Sequence, residues 1–188
     1  NNRRQKIKRT ELDPMPREIM MPGLGLFGLG ADAKAARITA DLAETNIEVI
    51  TAAERLGAYK VISEADTFDI EYWSLEQAKL GKGSEKPLAR HVSVVTGGGS
   101  GIGAATARAL VAEGSEVAVL DQDEKAALAV TAEFGGLGLA CDVTDGRAVR
   151  RAFDQVVKKY GGVDIVVSNA GAAWQGSIGE VPDKVLRD

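Results

Sequence analysis

A glycine-rich run from Thr96 to Gly103 holds the residues whose types and spacing point most clearly to chemistry. It follows an apolar stretch, Val92 to Val95, and leads into an alanine-rich stretch, Ala104 to Glu113. A glycine-rich turn between a strand and a helix presents backbone N–H groups and the positive end of a helix dipole to a phosphate. The candidate phosphate-binding residues are Gly97, Gly99, Ser100, Gly101, Ile102 and Gly103.

An acidic residue follows at the spacing expected of a dinucleotide site. Eighteen residues after Gly103, the apolar run Val117–Leu120 is followed by Asp121 and Gln122. A carboxylate there can accept hydrogen bonds from both hydroxyls of an adenine ribose. It would also repel a 2′-phosphate, since unit charges about 4 Å apart cost on the order of 4 kcal/mol at an effective dielectric constant of about 20. The pattern predicts NAD rather than NADP; the alternative is that Asp121 only caps the next helix.

Two further strand ends carry polar or small residues. The stretch Leu137–Cys141 is followed by Asp142 and Val143, and Asp164–Ser168 is followed by Asn169, Ala170 and Gly171. Ligands of open parallel sheets bind beyond the carboxyl ends of the strands, near the point where the strand order switches. We therefore expect these residues to join the glycine-rich run in one site.

The elements that must position these residues alternate between strand and helix. Predicted strands are His91–Val95, Val117–Leu120, Leu137–Cys141 and Asp164–Ser168, with helices over 101–113, 123–134 and 145–160. Short apolar strands that alternate with helices indicate βαβ units. The predicted fold class is α/β, a Rossmann-type doubly wound parallel sheet represented by its first four strands and preceded by a mostly helical N-terminal segment.

The chain divides by composition into an N-terminal segment (1–80), a linker rich in glycine and charge (81–87) and the nucleotide-binding part (88–188). The N-terminal segment predicts a strand at Glu18–Met21, a turn over 22–30, and a helix from an Asp32 N-cap to Gly57. Its core stripe would be Ile38, Leu42, Val49, Ala53 and Leu56. A second helix is predicted over 75–80, with Ser74 and Gln77 as a capping box. One strand and two helices are too few to enclose a hydrophobic core, and we therefore expect the segment to dock on another surface.

A second glycine run, Gly23 to Gly28, also fits the spacing of a phosphate loop. It fails the next requirement, because no strand that ends in an acid follows about 20 residues later. We interpret it as a structural turn.

Composition excludes several classes of function. A net charge of −4 and a pI near 5.2 argue against a nucleic-acid partner, and the basic run of residues 3–9 is interpreted as a solvated arm. One histidine, His91, excludes a multi-histidine metal site, and no metal site is predicted. The single cysteine, Cys141, reads as a buried thiol in a reducing compartment. No apolar run approaches 18 residues, so we expect no membrane association and a cytoplasmic location.

These residues resemble the short-chain dehydrogenase/reductase family. The TGxxxGxG loop of that family is matched by Thr96, Gly97, Gly101 and Gly103, and its NNAG signature by the run Ser168 to Gly171, with Ser168 in place of the first asparagine. The resemblance implies that Asp142 and Val143 contact adenine, that Asn169 braces the sheet, and that Ala170 and Gly171 admit the nicotinamide ribose. It also implies hydride transfer between NAD and an alcohol or carbonyl substrate, a sugar or polyol derivative being one class, and a homo-oligomer in the intact protein.

The catalytic Tyr-x-x-x-Lys pair of that family has no match in this sequence. Four residues after Tyr59, Tyr72 and Tyr160 stand Ser63, Glu76 and Asp164 rather than lysine. We therefore assign no catalytic residue and expect this chain to be the cofactor-binding portion of a longer enzyme. The alternative is a non-catalytic NAD-binding module.

The N-terminal segment resembles the junction of bifunctional proteins that fuse a class II aldolase-like domain to a short-chain dehydrogenase, similar to rhamnulose-1-phosphate aldolase/alcohol dehydrogenases. The resemblance rests mainly on the run Glu71 to Leu80, EYWSLEQAKL. It implies that residues 1–80 are the tail of an aldolase-like domain. Two alternatives stay open: part of a sugar-phosphate aldolase (a lyase), and an unrelated dimerising helical arm.

Overall fold

The computed structural model describes residues 9–80, 85–172 and 181, and most of the basic N-terminal run lies outside these residues. The chain forms two compact units, Asn1–Arg90 and His91–Asp188.

The first unit begins with an antiparallel hairpin of β1 (Glu18–Met21) and β2 (Gly25–Gly28). The strand β1 has its predicted bounds, but the prediction of a turn throughout 22–30 is wrong, because β2 lies inside that range. A tight turn joins the strands: Leu24 N–H donates to the carbonyl of Met21 at 3.0 Å. Pro22 fits the second position of a type II turn and Gly23, with φ +80°, the third. The run Gly23 to Gly28, whose spacing fits a phosphate loop, is thus part of a hairpin, which agrees with its interpretation as a structural feature.

A long helix, α1 (Ala33–Leu56), follows the hairpin. Asp32 caps it by accepting a hydrogen bond from Ala35 N–H at 2.7 Å, and Gly57 follows its last residue. Both ends therefore lie where the capping residues predict.

The predicted core stripe of α1 is not buried. Ile38, Leu42, Val49 and Leu56 are 49%, 65%, 55% and 92% exposed, whereas Ala43 on another face is buried. The hairpin packs instead on the small residues of α1, since a Cβ on Gly28 would lie within 3 Å of backbone atoms of Ala36 and Ala40. The alanine face of α1 packs on the hairpin because small residues let the two backbones approach closely, which the larger apolar side chains of the predicted stripe would prevent.

Two shorter helices, α2 (Glu64–Glu71) and α3 (Ser74–Gln77), complete the first unit. The helix α2 was not predicted, although Ser63 caps it by accepting from Asp66 N–H at 3.2 Å. The predicted helix over 75–80 is confirmed only in part, and its capping box is wrong. Trp73 is the N-cap of α3, and the Gln77 side chain hydrogen-bonds the backbone N–H and carbonyl of Thr10 at 2.7 and 3.0 Å. Thr10 and Gln77 are 67 residues apart in the sequence, so no local pattern could have predicted their contact.

In its described residues, the second unit contains four parallel strands: β3 (Val92–Thr96), β4 (Glu116–Asp121), β5 (Leu137–Ala140) and β6 (Ile165–Val167). Their order is β5-β4-β3-β6. The chain first adds strands on one side of β3 and then crosses to the other side, so the order switches between β3 and β6. This confirms the predicted α/β Rossmann-type sheet, and every observed strand end lies within one residue of its predicted position.

Three helices cover the two faces of this sheet: α4 (Gly101–Ala112), α5 (Glu124–Ala132) and α6 (Gly146–Tyr160). One face packs Val95, Val117 and Val119 against alanines of α4 and α5. The other packs Val94, Ala118, Leu120 and Cys141 against Ala152 and Val156 of α6. Strands covered on both faces read as continuous apolar runs, which is why the sequence predicted them well.

Within the described ranges, no helix combines the length and apolar character that a membrane span requires. The same residues contain no cluster of three or more potential metal-ligating side chains.

Tyr160, at the end of α6, packs against the α6 side of the core. Its hydroxyl is the one buried side-chain polar atom of the described residues that has no hydrogen-bond partner. Burial, and secondarily the charge of Glu116, raises the pKa of Tyr160 to about 12.

We predict that Tyr160→Phe raises the free energy of unfolding by about 1 kcal/mol at neutral pH, because it removes an unsatisfied buried hydroxyl. The pKa of Tyr160 is about 12 in the folded chain and 10.0 in a model compound. The neutral form of Tyr160 therefore makes its full contribution to the free energy of unfolding below pH 10, and this contribution is lost as the pH rises through 12. Urea unfolding across this interval should show the parent chain losing stability relative to the variant. Tyr59→Phe, at a partly exposed position, is the control; identical pH dependence of the Tyr160 variant and the parent chain would contradict the prediction.

Candidate functional site

The glycine-rich loop begins where β3 ends and leads directly into α4. Gly97 and Gly101 have φ of +61° and +51°, a left-handed backbone that disfavours residues with a side chain. Ser100 is the N-cap of α4, but its side chain makes no capping hydrogen bond. The N–H groups of a first helical turn have no acceptor within the helix. An anion held above this end of α4 would therefore meet backbone donors and the positive end of the helix dipole.

The remaining glycines of the loop allow close packing. A Cβ on Gly103 would overlap the carbonyl oxygen of Gly97 and approach Asn169 Nδ2 to 2.5 Å. A Cβ on Gly99 would approach Asp121 Oδ2 to 2.8 Å and Ala126 Cβ to 2.9 Å. The loop is thus pressed against the ends of β4 and β6, and side chains at these two positions would force it away.

Asn169 ties the loop after β6 to the loop after β3. Its side-chain Nδ2 donates to the carbonyls of Thr96 and Gly97 at 3.0 and 3.1 Å. The Thr96 hydroxyl accepts the backbone N–H groups of Asn169 and Ala170, each at 3.0 Å. The amide of Asn169 is therefore used to hold the loop, and Asn169 acts as a positioning residue. We call this set of contacts the Thr96–Asn169 clamp.

Asp121 ties the end of β4 to the same loop. One carboxylate oxygen, Oδ2, accepts Gly99 N–H at 2.8 Å, and the other, Oδ1, accepts Asp123 N–H at 3.1 Å. Each oxygen keeps a further lone pair, so the carboxylate is held in place and can still accept hydroxyl donors. Asp123, rather than Asp121, caps α5 by accepting from Lys125 and Ala126 N–H. The alternative interpretation of Asp121 as only a helix cap is therefore wrong.

The loop after β5 joins the site through Asp142. Its carboxylate accepts hydrogen bonds from the Thr144 backbone N–H and hydroxyl at 2.9 and 2.8 Å. These bonds, with a further one from the Gln122 side chain, lower the pKa of Asp142 below its ordinary value. The next side chain, Val143, is 39% exposed. An ionised acid and an apolar side chain therefore lie side by side at this edge.

Of the thirteen predicted site residues, Asp121 is the last residue of β4, and the other twelve lie in the loops that follow the four parallel strands or in the first turn of α4. Hydrogen bonds link the loops of β3, β4 and β6, and the contact of Gln122 with Asp142 adds the loop of β5. Sequence reasoning missed the hydroxyl of Thr96 as an acceptor and Thr144 as the partner of Asp142. A polar residue at the last position of a buried strand was the available signal for Thr96.

An apolar cavity of about 260 Å³ lies at the carboxyl end of the sheet, between Val143, Phe153 of α6 and Ser168. Cys141 lines it and is buried, as predicted. Burial, together with the nearby charges of Asp142 and Asp145, raises the pKa of the thiol, which disfavours a reactive thiolate.

Comparison with protein families identifies both parts of the chain. Residues 91–188 match the short chain dehydrogenase family, and residues 1–80 match the family described as aldolase class II, second domain. The chain belongs to the short-chain dehydrogenase family. It combines a segment of the short-chain dehydrogenase family with an aldolase-like segment, as the resemblance in the sequence predicts.

Relatives of this chain include oxidoreductases, two of which are named for a polyol and a sugar. An uncharacterized oxidoreductase, YuxG, of Bacillus subtilis is 34% identical over 166 residues, which is 84% of this chain and 24% of YuxG. D-threitol dehydrogenase of Mycolicibacterium smegmatis is 42% identical (44% of this chain, 34% of that protein), and L-fucose dehydrogenase of Bos taurus is 43% identical (43% and 30%). The chain thus spans about a quarter to a third of these relatives.

A solved structure of similar fold is 3-ketoacyl-(acyl-carrier-protein) reductase from Brucella melitensis, complexed with NADH. It is 29% identical with a TM-score of 0.50, over 55% of this chain and 43% of the reductase. The similarity supports the Rossmann-type fold of the second unit.

We predict that Asn169→Ala lowers the free energy of unfolding by about 1–3 kcal/mol, because it leaves two carbonyl oxygens of the clamp without donors. Asn169→Asp should cost at least as much, since a carboxylate has no proton to donate to either carbonyl. Chemical denaturation measures both. The control is Asn46→Ala, at an exposed position of α1, expected within about 0.5 kcal/mol of the parent chain. An aspartate variant as stable as the parent chain would contradict the clamp.

Proposed function

We propose that this chain is the NAD-binding part of an oxidoreductase that transfers a hydride between NAD and an alcohol or carbonyl substrate. The observation that carries the proposal is the position of Asp121, whose carboxylate is hydrogen-bonded to the glycine loop at Gly99. This hydrogen bond would fix the distance between a phosphate site at the glycine loop and a ribose site at Asp121. Bound NAD would supply the hydride acceptor or donor.

We propose a place for each part of the dinucleotide along these loops. Gly97, Gly99, Ser100, Gly101, Ile102 and Gly103 would hold the pyrophosphate at the start of α4. Asp121 and Gln122 would bind the adenine ribose, and Asp142 and Val143 would contact adenine. Ala170 and Gly171 would lie along the nicotinamide ribose, with Asn169 setting the position of that loop through the clamp.

Charge supports NAD rather than NADP. Asp121 would face the ribose 2′ position, and the neighbouring side chains, Gln122 and Asp123, bring no cation that could bind a 2′-phosphate. The carboxylate would therefore favour two hydroxyl donors and oppose a doubly charged group.

The substrate is proposed by class only. The relatives named for D-threitol and L-fucose oxidation suggest a sugar or polyol derivative. We propose that the catalytic tyrosine and lysine lie outside this chain. Among the described tyrosines, Tyr160 is held in the core with a raised pKa, which is opposite to what a proton-transferring tyrosine needs.

The aldolase-like match supports a bifunctional parent protein. We propose residues 1–80 as the tail of an aldolase-like domain, 81–87 as a linker and 88–188 as the partial NAD-binding domain. The single buried cysteine suits a reducing compartment, and we place the protein in the cytoplasm.

Calorimetric titration with NAD and NADP tests the proposal. The parent chain should prefer NAD by about a hundredfold, equivalent to about 2.7 kcal/mol. Asp121→Asn keeps the size and one acceptor oxygen but removes the charge, so the preference should fall about tenfold or more. Asp154→Asn, which removes an exposed carboxylate from α6, is the matched control and should change neither affinity. An equal NAD/NADP ratio in the parent chain and the Asp121 variant would overturn the assignment.

A further inference from the structure

One face of α1 has no partner among the described residues and carries a regular apolar pattern. The positions alternate three and four residues apart: Ala35, Ile38, Leu42, Thr45, Val49, Ala52 and Leu56. We call this row the seam. It carries no charge over about 30 Å of helix, and its large members are half to almost fully exposed. The seam lies away from the face that packs on the hairpin, so the first unit leaves it open except at Ala35, which is partly buried beside Gly30.

The width of the seam indicates what it fits. A helix that packs on a domain core carries an apolar face wider than about 100°, whereas a strict three-four row is the narrower contact between two helices. Charged residues border the seam directly on one side, at Lys34, Asp41, Glu48 and Arg55. The Thr45 hydroxyl donates to the carbonyl of Asp41 at 3.0 Å, so its hydrogen-bonding need is met inside the helix. The partner surface is therefore a single helix.

We propose that α1 is a self-association helix, and that its seam pairs with the seam of a second copy of this chain in antiparallel orientation. In that register Leu42 faces Ala52 of the second copy, Val49 faces Thr45, and Leu56 faces Ile38. A large side chain then meets a small one where Leu42 faces Ala52, while the other two kinds of layer pair side chains of similar size. The interface is isologous, so every contact between two different positions occurs twice.

Charge selects the antiparallel orientation. Beside the seam, Asp41 of one copy lies next to Arg55 of the other, and symmetry doubles this ion pair. A parallel pair would place the charged border beside the neutral residues Thr39, Asn46 and Ala53 and gain no ion pair. Within the described residues, neither Asp41 nor Arg55 takes part in an ion pair. One like-charge contact, Glu48 with its symmetry mate, opposes the two favourable pairs at the exposed rim.

Sedimentation equilibrium of the 188-residue chain tests association. We expect a concentration-dependent monomer–dimer equilibrium that Leu42→Glu abolishes. Thr51→Glu, at an exposed position of α1 outside the seam, should leave it unchanged. Far-UV circular dichroism should show equal helix content in all three proteins, because both positions are exposed. A chain that stays monomeric up to about 1 mM, or an equal effect of both substitutions, would overturn the proposal.

A charge exchange tests the orientation. Asp41→Arg and Arg55→Asp should each raise the dimer dissociation constant about tenfold, since each converts two ion pairs into like-charge contacts. The double variant restores opposite charges and should return the constant to near its original value. A dimer that is indifferent to the single substitutions, or a double variant weaker than both, would overturn the antiparallel pairing. The inference concerns the first unit and is independent of NAD binding.

Discussion

The contact on which the candidate site depends is the Thr96–Asn169 clamp. The strand order switches between the neighbouring strands β3 and β6. The loops that follow these two strands therefore run in opposite directions and leave a crevice at the carboxyl edge of the sheet. A crevice bounded by unpaired loops would have no fixed shape. The Asn169 amide and the Thr96 hydroxyl cross-link the two loops through four hydrogen bonds, which place the glycine loop relative to the end of β6. The remaining features, including the small residues at Gly97 and Gly103, follow from how closely these loops approach.

Asp121 adds a second constraint, and it couples recognition to structure. Its carboxylate both holds the glycine loop, through Gly99 N–H, and faces the position proposed for the adenine ribose. The pyrophosphate and ribose sites are therefore not independent, because a shift of the carboxylate would move the loop that cradles the phosphates. Pre-organisation of this kind lowers the entropy lost on binding, since the polar groups are already ordered in the free protein.

Sequence predicted the second unit well and the first unit poorly, for a physical reason. Buried parallel strands and capped helices carry local signals, and these gave the order of elements and the positions of the site residues. In the first unit, the glycine run gave no sign of the short strand β2. The helix α1 packs on the hairpin through its alanine face, because only small residues let the two backbones approach closely. The predicted core stripe is therefore open, and the contact of Gln77 with Thr10 spans too much sequence to be read locally. The long-range contacts of the Thr96 hydroxyl were missed as well, although a polar residue at the end of a buried strand was an available signal for them.

The central claim is that the loops after four parallel strands form one dinucleotide site. Titration of isotope-labelled protein with NAD, followed by amide NMR spectra, tests it most directly. The account predicts saturable shifts of the amides of Gly97–Gly103 together with those of Asp121, Asp142 and Val143, while the imitation glycine run Gly23–Gly28 stays unchanged. Shifts confined to Gly23–Gly28, or no saturable shift at Gly97–Gly103, would contradict it.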